Sequence, residues 1–87
     1  MTKKIRVYGW QSFRREAVPA PNGSRQTREI VVARSVAEVM RITGMTRTAF
    51  GYAGGETGNQ KEIDQAMTEP GAVFWTELDN QTNWRRG

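Results

Sequence analysis

Apolar and polar residues alternate from Lys4 to Phe13, with Ile5 and Val7 pointing one way and Arg6, Tyr8 and Trp10 the other. That is the period of a strand with one buried face, and it predicts a strand over residues 4–13. Gly9 interrupts it and marks either a bulge or a close backbone approach. Residues 26–34 resume the pattern, Ile30 and Val32 on one face and Val31 and Ala33 on the other. No helix separates the two strands, so they are expected to be antiparallel neighbours. Between them, residues 16–24 carry Pro19, Pro21 and an Asn22-Gly23 step, which reads as a loop too long for a two-residue hairpin turn.

The period then changes. Ser35 and Glu38 have the spacing of a capping box, Val36, Val39 and Met40 fall on one face, and Gly44 stands where a helix stops in the left-handed conformation. A helix over residues 36–43 follows. Thr46 is a candidate cap for another, yet Gly51, Gly54 and Gly55 would each cost about 1 kcal/mol inside it, so a short strand or a single irregular turn is expected over residues 46–53. Gly54 to Gly58 reads as loop. Asn59 and Glu62 repeat the cap pattern ahead of an Ile63, Ala66, Met67 stripe, predicting a second helix over residues 60–68 that Pro70 and Gly71 end. Ala72 to Leu78 is apolar in both directions, as in a central strand covered on part of its second face. Residues 79–87 are polar and are expected to be loose apart from Trp84. The whole predicts an α+β fold: a small antiparallel sheet in the order β-β-α-(β)-α-β, with two short helices packed on one face. It forms a single domain over residues 1–78 with a polar C-terminal tail over residues 79–87.

Composition narrows the chemistry. A chain of 87 residues has one core, and a domain that small buries only roughly 60–65% of its unfolded surface. There is no cysteine and no histidine. Disulfides, thiolate or imidazole metal sites and Cys–His or Ser–His nucleophile pairs are therefore excluded. The remaining carboxylates, Glu62, Asp64, Glu69, Glu77 and Asp79, read as solvated surface, Glu62 and Glu69 being too far apart to share a proton or clamp a cation. No enzyme activity, metal or cofactor is expected. No apolar run approaches the roughly 20 residues needed to span a bilayer, and no apolar region follows Lys3 and Lys4 as in a signal peptide. A soluble, cytoplasmic protein is expected.

Charge is distributed unevenly. Residues 1–47 hold ten basic and three acidic side chains, for +7, while the remainder holds three basic and six acidic, for −3. An N-terminal half this cationic points to an acidic partner, nucleic acid or an acidic protein face. Arg14, Arg15, Arg25 and Arg28 flank the Pro-Asn-Gly loop and would gather at one end of the hairpin, either to pair with phosphate or as a solvated loop. Tyr8 and Trp10 share a strand face, open for stacking on bases or seating a partner's side chain unless the loop or the tail covers them. Gly54 to Asn59 leads into a helix N-terminus, but lacks the Lys-Ser or Lys-Thr of a P-loop and carries Glu56, so a glycine turn with an Asn cap is the plainer reading.

Four pieces, taken together, resemble a group of small proteins of actinobacterial phages and prophages: Val7-Tyr8-Gly9-Trp10, the run Asn22 to Val31, Glu56-Thr57-Gly58-Asn59, and Glu69 to Trp75. The resemblance implies a phage-type accessory protein and brings no activity, ligand or site residue with it. Separately, Glu38 to Thr48 is similar to the helix-turn-helix of MerR-type regulators, in which a helix ends at Thr-Gly, an apolar residue fills the turn and a hydroxyl caps the recognition helix. That likeness implies Arg47 and Thr48 at the start of such a helix, facing base edges or phosphates. The expected function is a non-catalytic binding protein that engages nucleic acid, or host machinery bound to it, through the basic hairpin end. The alternative is a module that binds and inhibits or redirects a host protein through the aromatic face, without nucleic acid.

Overall fold

The computed structural model describes residues 6–87. Strand β1 spans Arg6–Phe13 and β2 spans Gln26–Ala33, paired antiparallel without interruption from Arg6 opposite Ala33 to Phe13 opposite Gln26. The expected start of β1 at residues 4 and 5, with Ile5 inward, lies outside the described residues, as do Lys3 and Lys4. No bulge occurs at Gly9. The glycine marks a close approach instead, because a Cβ there would lie 2.7 Å from Cζ of Arg28.

Helix α1 occupies Val36–Thr43, as the pattern predicts. Ser35 Oγ accepts the Glu38 N–H at 3.2 Å, and Gly44 ends the helix at φ 75°. Glu38 reaches back one residue further than a capping box requires, accepting the Arg34 N–H at 3.0 Å. Residues 46–53 correct the sequence reading: they form a seven-residue helix, α2, Arg47–Ala53, capped by Thr46 Oγ1, which accepts the Ala49 N–H at 3.1 Å. The glycine cost is met by tertiary anchoring, since Phe50 is buried and Gly51 faces open space. The expected loop at Gly54 is a short strand, β3, Gly54–Glu56, which pairs with β1 from Tyr8 to Trp10.

Helix α3 covers Gln60–Met67, strand β4 Phe74–Glu77 and strand β5 Asn80–Arg86. The five strands form one antiparallel sheet in the order β3-β1-β2-β4-β5, with β4 interior as its apolar sequence predicts. β5 is the second correction. The polar tail is an edge strand, fixed by Trp84 packing under α3, by Arg85 on Glu77 at 2.7 Å and by Arg86 on Glu69 at 2.6 Å.

The small α+β fold with an antiparallel sheet is as expected, but the helices do not share a face. On one face Tyr8, Trp10, Val31 and Ala33 pack with Val39 of α1 and Phe50 of α2. On the other, Val7, Ile30, Val32 and Phe74 pack with Ala66 and Ile63 of α3. The chain changes sides at β3, the sheet edge between α2 and α3. Apolar residues at both parities of β1 and β2 make this necessary, since a sheet with one covered face would leave one set in water. Each fully buried Val or Ile contributes roughly 1.5–3 kcal/mol.

Candidate functional site

The hairpin end where β1 meets β2 is the leading candidate from the sequence, and its four arginines divide into two kinds. Arg14 is consumed internally. Its Nε donates to Glu29 Oε2 at 2.8 Å and its Nη2 to Oε1 at 3.2 Å, while Nη1 reaches Glu16 at 3.2 Å. The hydrogen bond to Glu29 raises its pKa above the ordinary value, against a smaller opposing effect of burial. The guanidinium also lies 5.0 Å from the Trp75 ring, which Arg85 approaches at 4.7 Å.

Arg28 is likewise committed. It forms a two-pronged pair with Glu62 of α3, at 2.8 Å from Nε and 3.0 Å from Nη2, and Thr57 Oγ1 donates to the same carboxylate at 2.7 Å. Burial works to raise the Glu62 pKa, but these bonds and the Arg28 charge outweigh it and hold the carboxyl below the ordinary glutamate value. Glu62 is 4% exposed, and Glu77 is buried too, so the reading of both as solvated surface is overturned. Glu77 is held below the ordinary value first by the Arg85 hydrogen bond and, against burial, by the Val18 N–H. Glu62 ties α3 to β2, and Glu77 ties the loop at Val18 to β4.

Arg15 and Arg25 differ. Arg25 Nη1 donates to the carbonyl oxygens of Arg15 at 2.7 Å and Ala17 at 3.0 Å, which orders the loop without neutralising the charge. Both residues are exposed, and among the described residues neither has a carboxylate partner. Asn22 Oδ1 accepts the Ser24 N–H at 2.9 Å and Gly23 turns at φ 85°, so the Asn-Gly step makes the expected tight turn within the loop.

Tyr8 and Trp10 are 4% and 3% exposed, edge-on to Phe50 at 6.2 and 6.3 Å between ring centres. They are core residues under α2, and neither an open aromatic face nor a cover by loop or tail describes them. Arg47 and Thr48 stand exposed at the start of α2, beyond the half-buried Met45. Ahead of α3, Asn59 Oδ1 accepts the N–H groups of Lys61 and Glu62 at 3.0 and 3.3 Å, so a side-chain cap fills that helix start.

The residue that sequence reasoning misses is Phe13, 69% exposed at the end of β1. Its parity matches that of Val7, which suggests an inward residue, but α3 packs over Val7, Ile30 and Val32 and does not extend to it. Its place next to Arg14 and Arg15, at the last position of the strand, is the available signal. Val18, 62% exposed, lies in the same loop. No helix among the described residues is long and apolar enough to cross a membrane, and none of their acidic groups cluster in threes to hold a metal ion. No protein-family model matches the chain, nor does any curated protein or solved structure.

Proposed function

We propose that this is a non-catalytic accessory protein of the phage type, acting in the host cytoplasm, which engages nucleic acid or machinery bound to it through the β1–β2 hairpin end. The observation that carries the reading is that Arg15 and Arg25, both exposed at the hairpin end, have no carboxylate partner among the described residues. They sit within the segment that carries +7 of charge. Arg14 and Arg28, by contrast, act as struts. Two phosphate contacts on a single strand correspond to a log–log salt slope of about −1.4. A mobility-shift titration at graded salt is the test: Arg15→Glu is expected to weaken retention and flatten that slope. If no single- or double-stranded nucleic acid shows salt-sensitive retention by the wild type, the reading is wrong.

A second reading, a module that binds a host protein without nucleic acid, is favoured by one observation. Phe13, at the end of β1, and Val18, in the loop that follows, are large apolar side chains left in water. Nuclease treatment of a host lysate before pull-down separates the two, since a partner held through nucleic acid is then lost.

A further inference from the structure

We infer that the quarter of the sheet beyond α3 is a stacking platform for unpaired bases, so that the nucleic acid engaged is single-stranded. This rests on the nucleic-acid reading above and names its substrate class. The β1–β2 register sets Phe13 directly opposite Gln26 and, one pair further in on the same face, Gln11 opposite Arg28. Gln11, Phe13 and Gln26 are all exposed. β3 pairs with β1 only from Tyr8 to Trp10, so it provides no strand beside residues 11–13. The result is a two-by-two patch with one free aromatic ring, two side-chain amides and the stem of an arginine whose head is pinned on Glu62.

The composition of that patch fits bases better than a duplex. An exposed ring offers a π-face that every base can stack on, and amides carry both a donor and an acceptor for base edges. Duplex entry by a two-stranded ribbon calls for outward arginines along the ribbon, but Arg14 and Arg28 are turned onto Glu29 and Glu62. Of the four arginines at the hairpin end, Arg15 and Arg25 remain without a carboxylate among the described residues, and these suit one flexible backbone passing the tip. The cationic tip is complementary to phosphate and the ring to a base, and both lie at the same end of the hairpin.

The test is fluorescence anisotropy with a labelled 12-nucleotide oligo-dT, the corresponding oligo-U and a 12-base-pair duplex, using wild type, Phe13→Ala and Phe13→Trp. Because Phe13 is exposed, both variants are expected to keep the wild-type circular dichroism and thermal midpoint. Single strands should bind more tightly than the duplex. Phe13→Ala should weaken single-strand binding by about 5- to 100-fold, and Phe13→Trp should preserve or strengthen it. Duplex binding equal to or tighter than single-strand binding overturns the inference, and so does unchanged single-strand binding by Phe13→Ala. In that last case a salt-sensitive shift abolished by Arg15→Glu would leave the broader function standing. Absence of binding to all three probes removes both, and a nuclease-resistant protein partner that depends on Phe13 would assign the ring to a protein contact instead.

Discussion

At the scale of single residues, the most informative position is Gly9, because its missing side chain makes room for the Arg28 guanidinium. The close approach is readable from a glycine inside a strand; its cause is not, since Arg28 and Glu62 are 34 residues apart and meet only once α3 crosses the sheet. A Cβ at position 9 would lie 2.7 Å from Cζ of Arg28, so the guanidinium has to shift and its pairing with Glu62, 4% exposed and otherwise held by Thr57, is strained. Gly9→Ala is therefore expected to destabilise the fold by about 2–4 kcal/mol, a large share of the roughly 5–15 kcal/mol that holds a domain together. In an Arg28→Ala background the same change should cost less than about 1 kcal/mol, because the clash and the pair are both gone. Denaturant melts of the four proteins in that cycle measure the difference; additive costs would mean that Gly9 serves some other purpose. Tyr8 and Trp10 teach the complementary lesson: their shared parity is legible in the alternation, but whether that face is open depends on where a later helix lands.

At the scale of elements, β2, α1, α3 and β4 follow from local signals: alternation, capping residues and Pro-Gly stops. The three elements that local signals miss share a physical cause, which is that partners distant in sequence stabilise them. α2 is short and contains a glycine, yet Phe50 anchors it against Tyr8 and Trp10. β3 is mostly glycine, and Gly54 is required, since a Cβ there would meet the Phe50 ring at 2.6 Å. β5 is polar because it is an edge strand whose arginines pair with Glu77 and Glu69. If anchoring outweighs propensity in α2, improving the propensity should simply add. A Cβ at Gly51 would have no neighbouring atom within 4 Å, and the residue is not held at positive φ. Gly51→Ala is thus expected to stabilise by about 0.5–1 kcal/mol, or roughly 2–8 °C in thermal midpoint for a domain of this size. A lowered midpoint would show that position 51 needs its glycine for a reason other than helix geometry.

At the scale of the whole molecule, ion pairs tie the elements to the sheet: Arg28–Glu62 joins β2 to α3, Arg14–Glu29 joins the end of β1 to β2, Arg85–Glu77 joins β5 to β4, and Arg6–Glu56 joins β1 to β3. The excess positive charge is legible in the sequence, but not which arginines are spoken for, because every one of these partners comes from another element. The same arrangement sets how stability responds to acid. The carboxyls of Glu16, Glu62 and Glu77 all lie below the ordinary value of 4.5 in the folded protein. The unfolded chain therefore binds protons before the folded one does, and stability is fully present above pH 4.5 and lost as pH falls through the lower folded values. With no histidine in the sequence, no side chain with an ordinary pKa titrates between about pH 5 and 8. Urea midpoints should accordingly be level from pH 7 to 5 and fall steeply below 4.5. Glu62→Gln should lower the level portion and make the acid limb shallower, because it removes one of the carboxyls that must be protonated. Glu16→Gln, at an exposed position, should change both far less. A midpoint that stays level down to pH 3 would mean that these pairs contribute little to holding the elements on the sheet.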